Sequence, residues 1–316
     1  MADIIEISEL DCIYLSYDEP QAEEFWAKIS ANIPWAKRVH GVKGSDAAHK
    51  AAANASDTDR FILIDGDNLP QWDFFNQQLR LTDTNKDCVF RWRAYNHVNG
   101  LCYGNGGLSS WTKEFVLNMQ THEATNGSEE TVVEFCFDDR YWAMHDVWST
   151  TYPNGDSFHA WRAGFREGVK LCLDRGRRPE AHEFETATWE GNRHNLAIWC
   201  TVGADVEYGD WAILGARQGA VMTMFEDHWD YTAVRDFDRL EELYKHHFPT
   251  HVLDPDLSDS YLNTLTKRLG MNIVDLTPEQ SAWYKKYNRK YENVDIMLPE
   301  RDYQRALNEV SKQFWR

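Results

Sequence analysis

Long hydrophobic runs are missing from this chain: nowhere do ~18 apolar residues follow one another, the length a membrane-spanning helix needs. The N-terminus, Met1-Ala2-Asp3-Ile4-Ile5-Glu6, also lacks the basic start and apolar stretch of a signal peptide. A soluble, unexported, cytoplasmic protein without membrane contact is expected. Cysteine is sparse and scattered. The six residues Cys12, Cys88, Cys102, Cys136, Cys172 and Cys200 form no CxxC pair and have mostly apolar neighbours, which fits reduced core thiols better than a disulfide frame or a zinc site. Basic residues are outnumbered, Lys+Arg 33 against Asp+Glu 51, for a net charge of −18. That balance argues against holding nucleic acid by bulk electrostatics, which rests on clustered lysine and arginine. There is no internal repeat, and no biased segment longer than the alanine run at 47–53. What is present is a real core: 42% hydrophobic and 14% aromatic over 316 residues, enough for one large domain or a domain with an appendage.

The first ninety residues alternate between strand and helix patterns. Cys12-Ile13-Tyr14-Leu15 is a short apolar run, and Pro20 then sits where a first helical turn tolerates proline. Ala22, Phe25, Trp26, Ile29 and Ile33 make the stripe of an amphipathic helix, which Pro34 stops. Residues 36–40 form a weaker strand, and Gly41-Val42-Lys43-Gly44 turns into a helix capped by Ser45 and running through Ala55. Phe61-Ile62-Leu63-Ile64 is wholly apolar, as a strand covered on both faces should be, and it ends in Asp65-Gly66-Asp67. This β-α-β-α-β unit should be parallel and bind ligands at the carboxyl ends of its strands. Further along, residues 88–95 and 131–137 read as strands, 158–173 as a helix, and 195–202 as a last buried strand. After Gly219 the pattern turns helical and charged, which suggests domain bounds of 1–219 and 220–316.

Two carboxylates one residue apart on an extended turn can hold a hard divalent cation that takes its other ligands from water and phosphate, although Asp-Gly is also a common plain turn. Its position here matters, because the pair closes the third strand of a nucleotide-binding-like unit. Together with Arg38-Val39-His40-Gly41-Val42-Lys43-Gly44, Ala47-Ala48-His49, the segment 61–67, Val98-Asn99-Gly100-Leu101-Cys102-Tyr103-Gly104-Asn105-Gly106-Gly107 and Phe158-His159-Ala160-Trp161-Arg162-Ala163-Gly164-Phe165-Arg166-Glu167, it resembles the TET-associated glycosyltransferase family. That GT-A group is related to the base J glucosyltransferase and is found largely in tailed phages. The resemblance spans residues 11–219. It implies an α/β GT-A fold with a mostly parallel central sheet flanked by helices, plus a mainly helical C-terminal extension. The implied activity is metal-dependent transfer of a sugar from a UDP-sugar to the hydroxymethyl group of a 5-hydroxymethylpyrimidine in double-stranded DNA.

On that reading Asp67 ligates Mn2+ or Mg2+ directly and Asp65 holds a metal-bound water or the donor ribose, while His159 is the candidate third ligand, with His145 and His228 as rivals. Ser16, Tyr17 and Asp18 resemble the place where GT-A proteins contact uracil and ribose, Asp18 being equally readable as a helix cap. Lys43 can put a positive charge near a phosphate beside helix amides. Asp138, with Asp139 beside it, occupies the place of the general base of an inverting transfer. Gly106 and Gly107 let sugar or acceptor approach the backbone, with Trp111 as a wall. Arg162, Arg166 and Lys170 share a helix face, followed by Arg175, Arg177 and Arg178; with Lys285-Lys286-Tyr287-Asn288-Arg289-Lys290 they are the local candidates for DNA phosphates. Two other readings stay open: a GT-A transferase acting on a glycan or protein, and a non-catalytic metal- or sugar-binding protein.

Overall fold

The computed structural model describes residues 3–103, 107–119, 121 and 140–289. The expected strand at 131–137 lies outside them, as do Gly106, Asp138 and Asp139. The chain divides into two compact units, one made of Met1–His97, Cys102–Asn126 and Glu134–Tyr152, the other of Val98–Leu101, Gly127–Val133 and Pro153–Arg316.

The first unit contains β1 (Asp3–Glu6), β2 (Asp11–Ser16), α1 (Ala22–Asn32), β3 (Lys37–His40), α2 (Ser45–Ala55), β4 (Arg60–Asp65), β5 (Asn68–Pro70), β6 (Gln78–Leu81), β7 (Val89–Asn96), β8 (Leu108–Thr112), α3 (Lys113–Asn118) and β9 (Tyr141–Thr151). Strands β1 and β6 make a small antiparallel pair; the other seven form one sheet in the order β3-β2-β4-β8-β7-β9-β5. The expected β-α-β-α-β unit is present, with β2 parallel to both β3 and β4. The sheet as a whole is mixed, which corrects the mostly parallel arrangement. Strand β8 runs antiparallel to both β4 and β7, and β5 antiparallel to β9, while β7 and β9 are parallel. An antiparallel return needs no crossover helix, and among the described residues none separates β7 from β8. Pro70 is tolerated in β5 because that strand is the sheet edge, where a missing N–H breaks no ladder.

Alternation along β2 and β4 divides the core between the two sheet faces. Cys12, Tyr14, Ile62 and Ile64 pack with Phe25, Ile29 and Ile33 from α1 and its end. Ile13, Leu15, Phe61 and Leu63 pack with Ala48, Ala52 and Ala53 of α2 and Phe115 and Val116 of α3. Helices thus cover both faces, which is why both strands are apolar between their polar end residues. Two start signals shift. Helix α1 begins after Pro20, with Gln21 at its cap and Asp18 outside it, and Gly44 rather than Ser45 precedes α2.

The second unit is helical: α4 (Ser157–Cys172), α5 (Phe184–Ala187), α6 (Glu190–Trp199), α7 (Gly209–Phe225), α8 (Phe237–His247), α9 (Pro255–Arg268) and α10 (Pro278–Arg289). The expected strand at 195–202 is mostly α6. Gly219, expected near a boundary, lies inside α7, and the units divide near Tyr152 instead. The reason is close helix packing. A Cβ on Gly164 or Gly168 of α4 would lie 1.9 or 2.2 Å from the carbonyl oxygens of Ala212 and Ala216, and one on Gly215 or Gly219 of α7 would lie 2.2 or 2.3 Å from those of Trp161 and Phe165. Four glycines thus let two helix backbones touch, and α7 is buried on every side. No helix among the described residues is long and apolar enough to cross a membrane. The described cysteines are unbridged; Cys12, Cys172 and Cys200 are buried, whereas Cys88 and Cys102 are half-buried and so not core thiols.

Candidate functional site: the carboxylate turn after the third parallel strand

The parallel ladders align Ser16 with His40 and Leu15 with Asp65, so the carboxyl ends of β3, β2 and β4 form one rim. The Asp65-Gly66-Asp67 turn that links β4 to β5 is held along its whole backbone. Asp65 N–H donates to the Gly107 carbonyl at 2.9 Å, the Tyr14 hydroxyl donates to the Gly66 carbonyl at 2.7 Å, and Tyr152 N–H donates to the Asp67 carbonyl at 2.7 Å. The Thr151 hydroxyl donates to the Asp67 carboxylate at 3.1 Å and fixes its orientation. Gly107 has φ +76°, and a Cβ there would lie 3.1 Å from the Asp65 carboxylate and 3.0 Å from the Asn68 amide nitrogen. The positive φ favours glycine here, and an added Cβ would also make the Asp65 and Asn68 side chains give way by a few tenths of an ångström.

A third carboxylate, which the sequence reading did not single out, leans onto the turn. A Cβ on Gly66 would meet the Glu19 carboxylate oxygens at 2.3 and 2.6 Å, so the absence of a side chain at 66 is what admits Glu19. The Tyr17 N–H donates to Glu19 at 2.8 Å. Its position one residue past Asp18, at the end of β2, was the available signal; its approach to Gly66 is a contact through space. Burial pushes the Asp65 carboxyl up to about 8, and the charges of Asp67 and Glu19 add to that. Burial likewise raises Glu19, against the lowering effect of the Tyr17 N–H. Two carboxylates on the turn with Glu19 leaning onto it crowd negative charge that a hard cation would relieve, and their donor chemistry is the kind Mg2+ or Mn2+ takes. Among the described residues no group of three or more His, Cys, Asp or Glu side chains stands in metal-holding geometry. The turn therefore fits a cation held through one or two carboxylates, with water and phosphate completing its shell, better than a closed protein cage.

The remaining expected residues divide between the units. Ser16 is buried, and Tyr17 and Asp18 are exposed at the end of β2. Lys43 is exposed in a loop whose flanking Gly41 and Gly44 have φ of +74° and +91° and which leads into the N-terminus of α2. His145 is exposed on β9. Trp111 is corrected from a site wall to core: it is 2% exposed, packs with Phe115 and donates its indole N–H to Ser109.

In the second unit, His159 stands in the first turn of α4, where the Asp156 carboxylate accepts its backbone N–H at 2.7 Å and lies 2.9 Å from its Nδ1. That contact holds the Asp156 carboxyl below its ordinary value despite the opposing effect of burial. His228 is exposed beside Glu226. The basic face of α4 has internal partners. Arg166 donates to the Val234 carbonyl at 3.1 Å, Arg162 and Arg166 both stack on Phe237, and Lys170 pairs with Glu167. Lys285 is 7% exposed and pairs with Asp205 at 2.7 Å, which removes it from the expected basic stretch.

No protein-family model, curated protein or solved structure matches the chain.

Proposed function

We propose that the chain is a metal-dependent GT-A glycosyltransferase that moves a sugar from a UDP-sugar to the hydroxymethyl group of a 5-hydroxymethylpyrimidine, 5-hydroxymethylcytosine by preference, in phage DNA within the host cytoplasm. The observation that carries the donor half is the turn itself: a parallel βαβαβ unit ends in Asp65-Gly66-Asp67, whose backbone is fixed at three points and whose carboxylates crowd one another. The donor would lie along the rim, where α/β sheets take their ligands. Asp67, oriented by Thr151, would hold the cation, and Asp65 a metal-bound water or the ribose. When bound, the cation offsets charge on the departing diphosphate. Lys43 and the amides at the start of α2 would meet phosphate, and Gly107 would let the sugar approach. The base that takes the acceptor proton is assigned to Asp138, with Asp139 beside it, and His159 is kept as a further ligand; the motif resemblance supports these roles.

The DNA acceptor rests on that resemblance. A second reading, a glycan or protein acceptor, is favoured by the net charge of −18 and by the internal engagement of Arg162, Arg166 and Lys170. UDP release with a panel of UDP-sugars in Mn2+, against hydroxymethylated duplex DNA and free saccharides, separates the two. Turnover on DNA supports the first, turnover on saccharides alone the second, and turnover on neither removes transferase activity.

A further inference from the structure

The transfer chemistry leaves one well-ordered group at the rim unused. His40, the last residue of β3, is exposed, yet its ring is held from behind. Its Nδ1 lies 2.9 Å from the Ser16 hydroxyl and 3.1 Å from an Arg38 guanidinium nitrogen. Arg38 also donates through Nε to the Ser16 oxygen at 3.2 Å. A guanidinium has hydrogens and no acceptor, so Nδ1 must be the lone-pair nitrogen. The Ser16 hydroxyl, already accepting from Arg38, turns its own hydrogen toward the same atom. The ring hydrogen is thereby placed on Nε2.

Arg38 is itself immobilised, by two hydrogen bonds of 3.0 and 2.7 Å to Glu23 and by the faces of Tyr14 and Trp26 at 5.8 and 6.0 Å. An exposed imidazole whose tautomer and orientation are both set in advance is suited to donate one hydrogen bond to a ligand at small entropic cost. Strands β3 and β4 flank β2, so their ends stand roughly 10 Å apart at ordinary strand spacing. That span suits a nucleoside diphosphate whose phosphates meet a cation held at Asp67 and whose base reaches His40.

We propose that His40 is a specificity-determining residue for the donor nucleotide, its Nε2–H selecting a base that presents an oxo oxygen, as uracil does, over one that presents an amino group there, as cytosine does. The inference rests on the nucleotide-sugar reading. An amino group opposite Nε2–H would set donor against donor and leave both unpaired.

Titration calorimetry of UDP and CDP in Mn2+, on the full chain, tests it. The wild type should prefer UDP. His40→Ala should weaken UDP about five- to tenfold with little change for CDP, and His40→Gln, which restores an N–H donor, should recover part of the preference. Thermal melts of both variants should match the wild type, since the side chain is exposed. An unchanged UDP-to-CDP ratio in His40→Ala, with both nucleotides still bound, overturns this inference alone. Failure of the wild type to bind either nucleotide overturns the nucleotide-sugar reading beneath it.

Discussion

Gly164→Ala adds one methyl group to the densest contact in the second unit. In an exposed helix this change stabilises by about 1 kcal/mol, because alanine loses less backbone freedom than glycine. Here the new Cβ would lie 1.9 Å from the Ala212 carbonyl oxygen, 2.8 Å from its carbon and 3.0 Å from the Ala216 nitrogen. A carbon–oxygen contact needs about 3.3 Å, so α4 and α7 must part by roughly 1.4 Å. The obstructing atoms are backbone, and no rotamer change clears them. A gap of 0.5–1 Å already forfeits a quarter to a half of each dispersion contact across an interface, and overpacking in a close-packed core costs about 1–3 kcal/mol. Because the obstruction is backbone, the cost falls at the upper end of that range, about 3 kcal/mol, and less the helix gain of about 1 kcal/mol the net loss is about 2 kcal/mol. For a cooperative unit of this size that lowers Tm by about 4–8 °C. Calorimetry with far-UV circular dichroism measures it. Gly41→Ala is the control, since a Cβ there meets nothing within 4 Å and the cost is confined to the φ of +74°; about 1 kcal/mol is expected. If Gly164→Ala melts at or above the wild-type temperature, the backbone contact between α4 and α7 is wrong.

Two further outcomes bear on the site and the basic face. The Asp65 carboxyl is raised from 3.8 to about 8, so the folded chain keeps a proton that the unfolded chain releases. Its contribution to stability therefore falls as pH climbs from about 4 to about 8. In EDTA, Asp65→Asn should melt above the wild type at pH 8.5 and converge with it near pH 4; a constant offset would show that Asp65 ionises normally. Arg166→Ala should cost about 1–2 kcal/mol in urea unfolding, through loss of the Val234 hydrogen bond and the Phe237 stack. Weaker binding to hydroxymethylated DNA with unchanged stability would instead return that arginine to the DNA reading.

Much of the first unit was legible because its signals are local. The apolar run at residues 61–64, the stripe through Phe25 and Ile29, and an Asp-Gly-Asp bounding the run each carry their own periodicity or turn chemistry. Strand direction carries no such signature. The β8 segment Leu108-Ser109-Ser110-Trp111-Thr112 is half polar, yet both serines are buried, so nothing local marked it as an antiparallel strand inside the sheet. The apolar run Leu196-Ala197-Ile198-Trp199 suits a buried strand or a buried helix, and tertiary packing made it α6. Gly219 stood where the pattern turns helical and charged, and only the partner helix shows that it sits inside α7 against the Phe165 backbone. The approach of Glu19 to Gly66 and the placement of His40 against Ser16 are contacts between residues distant in sequence, so spacing alone did not reveal them. The arginines of α4 looked like a phosphate-binding face because spacing on one helix says nothing of Phe237, which fills the space beside them.

The proposed metal-dependent nucleotide site at the carboxylate turn can be tested directly. Titration of UDP into the full chain with Mn2+, with EDTA, and in Asp67→Ala with Mn2+ tests it in one series. UDP should bind in Mn2+ and lose at least tenfold in affinity both in EDTA and in the variant, with the variant's melting temperature within a few degrees of the wild type. Equal UDP affinity under all three conditions would contradict the assignment of Asp65-Gly66-Asp67 as the site.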